Sequence, residues 1–127
     1  MGVKLPDAVW DVICDTLAKF DGIECRSPEL REYIETHAQI TLFDGGAFVA
    51  DGNEFDLFVV PERQAKWRIR KEISAYLATM AERYDTAIVK ISERNTRSLR
   101  LARFFGFEDC GRDEWGKIFL EKKLWAA

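Results

Sequence analysis

Several features are scarce or missing in this 127-residue chain, and each absence excludes a class of protein. No segment approaches the roughly 20 consecutive apolar residues that a membrane-spanning helix needs. A single histidine, with three scattered cysteines (Cys14, Cys25 and Cys110) and no Cys-x-x-Cys pair, argues against a zinc or other metal site and favours reduced thiols. The first 20 residues carry Asp7, Asp11 and Asp15 and do not resemble a secretory signal, so with reduced thiols we expect a cytoplasmic protein. Internal repeats, low-complexity stretches and linkers are absent, so we expect one domain spanning residues 1–127.

Charged residues are present in number but are unevenly distributed. The net charge is −3, yet residues 60–103 hold 11 basic and 5 acidic residues, a net charge of +6, and the remainder carries −9. A basic segment in an acidic protein predicts an anion site, the alternative being a solvated helix face. Nucleic acid is a weak candidate for that anion, because no helix-turn-helix or RNA-binding motif accompanies the basic residues.

The spacing of apolar residues predicts an α/β fold with the order ααβββαβαββ. Helices are expected over 6–20, 28–34, 64–83 and 95–105. Strands are expected over 40–43, 46–50, 55–60, 86–91, 107–112 and 115–124, the first three separated by turns at Asp44-Gly45 and Asp51-Gly52. The strand–helix–strand unit at 55–91 should form a right-handed parallel crossover. A mixed, mostly antiparallel sheet with helices on both faces follows.

The junction between the third strand and the third helix is the predicted anion site. A helix N-terminus offers unpaired N–H groups and the positive end of the helix dipole. Basic residues gather at this junction: Arg63, Lys66, Arg68, Arg70 and Lys71. Their charge is unfavourable against the dipole, which suggests that a bound anion offsets it. An acidic protein or nucleic-acid surface is the competing interpretation.

Three segments resemble the GCN5-related N-acetyltransferase (GNAT) superfamily. LFVVPERQAKWRIRKEI is similar to that family's pyrophosphate loop, KISERNTRSLRLARFFGFED to its next strand, helix and Gly-Phe pair, and FLEKKL to its closing strand. The likeness covers roughly residues 38–124.

This resemblance implies the acyl-CoA N-acyltransferase fold and acetyl-CoA as cofactor, with an amine as acceptor. In the family, the strand before the loop splays from its neighbour, and pantetheine lies in the cleft. The implied cofactor-binding residues are Leu57, Val59, Gln64, Ala65, Lys66, Trp67, Arg68, Ile69, Arg70 and Asn95.

The chain also departs from the family pattern. Gln64 fits the loop motif Gln/Arg-x-x-Gly-x-Gly/Ala, but Trp67 and Ile69 replace its two small residues. Small residues are wanted there because the pyrophosphate must reach the backbone. The tyrosine that often protonates the departing thiolate falls on Ala102, which has no proton to donate. These substitutions favour weak or absent catalysis.

A narrower likeness points to a second function. Residues 65–106 resemble the acetyltransferase-like internal virion proteins of short-tailed phages, which keep the fold and act in virion assembly. The alternative is therefore a catalytically inactive phage or prophage protein, located in the virion, that binds phage structural proteins through its basic helices.

Two carboxylates are the candidate general bases for amine acetylation. Glu54 and Asp56 lie on the strand before the loop, with Asp44 one turn earlier. A base needs a pKa raised by burial, and the competing interpretation makes these residues turn and edge carboxylates. Alternation along 54–60 places Glu54, Asp56 and Phe58 on one face of the strand.

The remaining candidates have structural interpretations that we prefer. Arginines recur every three residues along the fourth helix and are expected to form a solvated face: Arg94, Arg97, Arg100 and Arg103. His37 is expected to be structural. Cys110 lies in the final hairpin and is expected to pack in the core, because no histidine accompanies it.

Overall fold

The computed structural model describes residues 3–24, 27–63 and 68–124. Its helices are α1 (Asp7–Thr16), α2 (Pro28–His37), α3 (Arg68–Ala81) and α4 (Thr96–Phe104), with a π-helical turn at Leu17–Asp21 and a 3₁₀ turn at Pro61–Arg63. Its strands are β1 (Gln39–Phe43), β2 (Gly46–Asp51), β3 (Glu54–Val59), β4 (Thr86–Ser92), β5 (Glu108–Arg112) and β6 (Lys117–Lys123). The predicted order of elements is confirmed.

The strands form one mixed sheet in the order β1-β2-β3-β4-β6-β5. The pairs β1–β2, β2–β3, β4–β6 and β5–β6 are antiparallel, and β3–β4 is parallel. The predicted hairpin turns are both present, with Gly45 at φ 89° and Gly52 at φ 64°, a backbone region that glycine enters without strain. The parallel crossover from β3 through α3 to β4 is confirmed as well.

Several predicted boundaries were wrong. The first helix is α-helical only to Thr16 and then widens into the π-helical turn, which ends at Gly22 with φ 66°. The second helix extends beyond residue 34 to His37. The last strand begins at Lys117 rather than at 115, and Trp115 lies in the preceding turn with 81% of its surface exposed.

The parallel strands β3 and β4 pair at one end and then diverge. Among the described residues their ladder holds a single register pair, Glu54 opposite Ile88. Hydrogen bonds close this end: the Ile88 N–H donates to the Asn53 carbonyl at 2.9 Å, and the Asn53 side chain donates to the Thr86 carbonyl at 2.9 Å. Beyond Glu54 the strands separate, and a cleft opens between them.

Each face of the sheet carries its own hydrophobic core, so helices cover both faces as predicted. One core packs α3 and α4 on the sheet through Phe48, Phe55, Ile73, Tyr76 and Leu120, with other apolar residues. The second core packs α1 against Ala47 and Phe58, with residues of α2 at its border. None of the helices in the described segments is long and apolar enough to cross a membrane.

A buried carboxylate joins the segment before α1 to α2. Glu35 is 7% exposed and accepts a hydrogen bond from the Leu5 N–H at 2.6 Å. Arg31 donates to the Leu5 carbonyl and forms ion pairs with Asp7 at 2.9 Å and with Glu35 at 3.5 Å. These polar contacts hold Leu5, 2% exposed, in the second core.

We therefore expect Glu35→Ala to lower the free energy of unfolding by about 2 kcal/mol, because it leaves the buried Leu5 N–H without its acceptor and removes one of the two carboxylates that contact the Arg31 guanidinium. Urea unfolding measures this change. Glu32→Ala removes an exposed carboxylate from the same helix and should cost less than about 0.5 kcal/mol. Equal effects of the two substitutions would contradict a role for the buried contact.

Candidate functional site

The cleft between β3 and β4 contains two adjoining cavities. The inner chamber has a volume of about 160 Å³ and is lined by residues that include Asp21, Phe55, Asp56, Lys90, Ala102, Phe105 and Lys117. The outer chamber has a volume of about 460 Å³ and is lined by residues that include Asp15, Lys19, Val59, Ile69, Arg94 and Arg97. Both chambers share the walls formed by Thr16, Phe20, Leu57, Phe58, Asn95, Ser98 and Leu101.

Charge is segregated between the two chambers. Lys19, Arg94 and Arg97 make the outer chamber predominantly basic, with Asp15 as its acidic residue. The inner chamber instead contains the carboxylates of Asp21 and Asp56 together with two lysines. An anion is therefore favoured in the outer chamber, and a titratable carboxylate lies at the far end of the cleft.

Asp56 is the carboxylate whose titration is most altered by this environment. Asp56 is exposed to solvent on the cavity side, but the protein around the cavity displaces much of the bulk water, and this desolvation raises the pKa of the Asp56 carboxyl to about 6. Glu54 and Asp21 add to the rise, whereas Lys117 and Lys90 oppose it. Among the described residues, Asp56 forms no ion pair. A carboxylate with this pKa accepts a proton near neutral pH.

The other candidate base, Glu54, and the neighbouring carboxylate Asp44 lie elsewhere. Glu54 forms an ion pair with Lys90 at 3.1 Å and does not line either chamber. Asp44 forms an ion pair with Arg63 at 3.1 Å, beside the β1–β2 turn. The competing interpretation of edge carboxylates does not describe Asp56, because β3 lies in the interior of the sheet between β2 and β4.

Four of the predicted cofactor-binding residues meet in the cleft. Leu57 lines both chambers, and Val59 and Ile69 line the outer one. Asn95 lines both chambers and caps α4, because its side chain accepts a hydrogen bond from the Ser98 N–H at 3.3 Å. The strand and the starts of two helices thus converge on the same space.

The rest of the predicted cofactor-binding set is placed differently. Gln64, Ala65, Lys66 and Trp67 lie outside the described residues, as does the side chain of Arg68. The guanidinium of Arg70 lies over the Phe104 ring, 4.3 Å from its centroid, and Arg70 does not line either chamber.

Other parts of the site were not predicted from the sequence. Asp21 and Lys117 line the inner chamber and form an ion pair at 2.6 Å that joins the π-helical turn to β6. The Arg94 guanidinium donates to the Lys19 and Phe20 carbonyls, at 3.1 Å each, and holds the same turn against the start of α4. The Asp21-Gly22 pair predicted the end of a helix, but no sequence motif indicated that Asp21 pairs with Lys117.

The outlying candidates have local contacts. Arg103 forms an ion pair with Asp109 at 2.9 Å, as expected for a solvated face, whereas Arg94 and Arg97 of the same predicted stripe line the outer chamber. The His37 ring stacks on Tyr33 at 4.2 Å. The expectation that Cys110 packs in the core was wrong, since Cys110 is exposed on β5. In the described segments, no cluster of three or more His, Cys, Asp or Glu residues is placed to hold a metal ion.

No protein-family model matches the sequence, and no curated protein matches it. Solved structures do match the fold. An N-acetyltransferase from Staphylococcus aureus Mu50 has a TM-score of 0.71 at 18% identity and covers 98% of each chain. A ribosomal-protein-alanine N-acetyltransferase from Brucella melitensis has a TM-score of 0.69 at 16% identity, over 92% of this chain and 93% of that one.

A third similar structure, yncA from Salmonella typhimurium, contains its cofactor acetyl-CoA. It has a TM-score of 0.68 at 14% identity and covers all of this chain and 94% of its own. These likenesses agree with the six-stranded, mostly antiparallel mixed sheet and its helices described above. The chain therefore has the acyl-CoA N-acyltransferase fold of the GNAT superfamily.

Proposed function

We infer that this protein is an acetyl-CoA-dependent N-acyltransferase that transfers an acyl group to an amine. The observation that carries this proposal is the cleft between β3 and β4, which runs from a basic outer chamber to a carboxylate with a pKa of about 6. The fold and its acetyltransferase neighbours agree with this chemistry.

The residues of the cleft fit acetyl-CoA in shape and charge. Leu57, Val59, Ile69 and Leu101 form apolar walls that would hold the pantetheine arm. Arg94 and Arg97, with the start of α4 at Asn95, would hold phosphate groups at the basic end. When bound, acetyl-CoA would supply the thioester carbonyl that the amine attacks.

The protein's own contribution to the chemistry would be made at Asp56. Its carboxylate would accept a proton from the ammonium of the acceptor through a water molecule, leaving a neutral amine with a free electron pair. The amine nitrogen would then form a bond to the thioester carbon, and the carbon–sulfur bond would break with CoA leaving as its thiolate. The proton lost by the acylated nitrogen would pass to that sulfur directly or through water. Holding both reactants in one cleft contributes the rest of the rate increase.

We further propose that turnover is slow. Trp67 and Ile69 stand where the family's loop has small residues, and Ile69 is buried at the wall of the outer chamber. Ala102 lines the inner chamber where the family often has a tyrosine, so it cannot donate a proton to the departing thiolate. Nothing in the structure or the comparisons favours the alternative of an inactive phage assembly protein.

A thermal unfolding series with acetyl-CoA tests the proposal. At 100 times its dissociation constant, a ligand that binds only the folded state adds about 2.7 kcal/mol to the free energy of unfolding. Leu57→Trp should abolish this shift by filling the cleft, whereas Leu42→Trp, on the exposed side of β1, should retain it. Adenosine 3′,5′-bisphosphate controls for nonspecific attraction to basic residues.

An absence of any shift at millimolar acetyl-CoA, in the natural chain and in Trp67→Gly alike, would rule the enzyme out. A shift confined to Trp67→Gly would show that the tryptophan obstructs the loop. Equal shifts with acetyl-CoA and the bisphosphate, unaffected by Leu57→Trp, would place the ligand outside the cleft.

A further inference from the structure

The charged residues of the inner chamber are paired in a way that bears on the acceptor. Lys117 lies 2.6 Å from Asp21, and the two side chains are 30% and 13% exposed. Lys90 lies 3.1 Å from Glu54 in a more exposed pair. Both lysines of this chamber therefore already have a carboxylate partner, and Asp56 has no ion-pair partner among the described residues.

Among the described residues, Asp21, Glu54 and Asp56 together with Lys90 and Lys117 carry one net negative charge at this end of the cleft. An acceptor ammonium is attracted to Asp56. A carboxylate on the same small acceptor would face Asp56 and Asp21 and would find each lysine already neutralised. The Asp21 side chain is 13% exposed, and because a partly buried charge is weakly screened, its repulsion of the acceptor carboxylate is larger than it would be on an open surface.

The Asp21–Lys117 pair is also held in place by its surroundings. Asp21 belongs to the π-helical turn, whose Lys19 and Phe20 carbonyls accept hydrogen bonds from Arg94 at 3.1 Å. Lys117 begins β6, and its N–H donates to the Asp113 carboxylate at 2.9 Å. The two partners therefore lie on anchored backbone segments, so Asp21 cannot readily leave Lys117 when an acceptor enters.

We propose that the Asp21–Lys117 ion pair is a specificity determinant that restricts the acceptor to amines without a carboxylate close to the reacting nitrogen. This inference rests on the proposed function. Terminal amines of neutral or cationic molecules satisfy the restriction, and free α- or β-amino acids do not. Removing the charge of Asp21 releases Lys117, which then binds a carboxylate on the acceptor.

Propylamine and β-alanine test this restriction because they differ only in a terminal methyl or carboxylate group. With saturating acetyl-CoA, the natural chain should favour propylamine in kcat/KM by at least about tenfold, the range of a charge-assisted contact. Asp21→Asn should reduce that preference at least about tenfold, mainly through a lower KM for β-alanine. The double variant Asp21→Asn/Lys117→Met should not gain activity on β-alanine, because it lacks the Lys117 ammonium that would bind the β-alanine carboxylate.

Asp109→Asn is the matched control, because it breaks the exposed Arg103–Asp109 pair away from both chambers. The preference of Asp109→Asn for propylamine over β-alanine should equal that of the natural chain. Thermal melts show whether each variant is folded. Similar use of both amines by the natural chain, or an unchanged preference in folded Asp21→Asn, would overturn the inference while acetylation itself stands. If no acetyl-CoA binding and no acetylation of either amine is found, the proposed function fails and the inference with it.

Discussion

Asp56→Asn is expected to lower kcat for amine acetylation by roughly two to four orders of magnitude, the usual range for a lost general base. Asparagine keeps the size of the side chain but does not accept the proton of the acceptor ammonium. Binding of acetyl-CoA should be unchanged, because Asp56 lies in the inner chamber, away from the basic residues of the outer chamber. Steady-state kinetics and calorimetric titration with acetyl-CoA separate the two effects.

The pH profile ties this loss to proton transfer. In the natural chain, kcat/KM should fall as the pH drops below about 6, because the Asp56 carboxyl becomes protonated with a pKa of about 6. Asp56→Asn should lack this acidic limb. Its deficit should shrink as the pH approaches the pKa of the acceptor amine, since the amine then arrives already neutral. If the acidic limb of kcat/KM near pH 6 persists in Asp56→Asn, a residue other than Asp56 is the general base.

Glu54→Gln is the control for position on the same strand. Glu54 pairs with Lys90 at 3.1 Å and lies outside both chambers, so its neutralisation should change kcat less than about fivefold. A larger loss in Glu54→Gln than in Asp56→Asn would reverse the assignment of the two candidate bases.

The same substitution at Asp56 should stabilise the protein at neutral pH. The pKa of Asp56 in the folded state, about 6, exceeds the ordinary aspartate value of about 4, so between these values the folded state binds the proton and the unfolded state does not. The free energy of unfolding therefore falls as pH rises through this window. Because Asp56 is also exposed to solvent, the expected gain in the free energy of unfolding of Asp56→Asn, measured by urea unfolding at pH 7, is only about 1 kcal/mol.

Local signals made most of the fold predictable from the sequence. The Asp-Gly turns at Asp44 and Asp51 predict two hairpins, because glycine adopts a positive φ without strain. The parallel pairing of β3 with β4 follows from the helix between them and the handedness of such crossovers. In α3, the apolar residues at helical spacing are buried: Ile69, Ile73, Tyr76, Leu77 and Met80. Each of these features depends on a short stretch of chain.

The candidate site was only half predictable, because it depends on contacts between distant segments. Asp56 could be named from its place on the strand before the loop, but its raised pKa arises from the walls that α1, β4 and β6 build around it. Asp21 and Lys117 carry no motif. Their pairing requires the order β4-β6-β5 in the sheet and a π-helical turn that ordinary helical spacing does not indicate.

Phe48→Ala is expected to lower the free energy of unfolding by about 3–5 kcal/mol. Phe48 is 1% exposed on the interior strand β2 and stacks on Tyr76 of α3, with ring centroids 4.0 Å apart and planes 3° from parallel. Its ring also meets Phe43 at 5.4 Å and Phe55 at 6.0 Å. Truncation therefore opens a cavity where the sheet meets α3. This cavity cannot collapse without moving several aromatic rings.

Chemical unfolding in urea should show this loss as a lower midpoint with an unchanged slope, and the melting temperature should fall by about 10–20 °C. Phe104→Ala is the matched control, since Phe104 is 60% exposed and contacts the Arg70 guanidinium. It should cost less than about 1 kcal/mol. If Phe48→Ala lowers the free energy of unfolding no more than Phe104→Ala does, the aromatic cluster does not join α3 to the sheet. The wall that carries Phe55 and Ile73 beside the inner chamber would then have to be supported by other contacts.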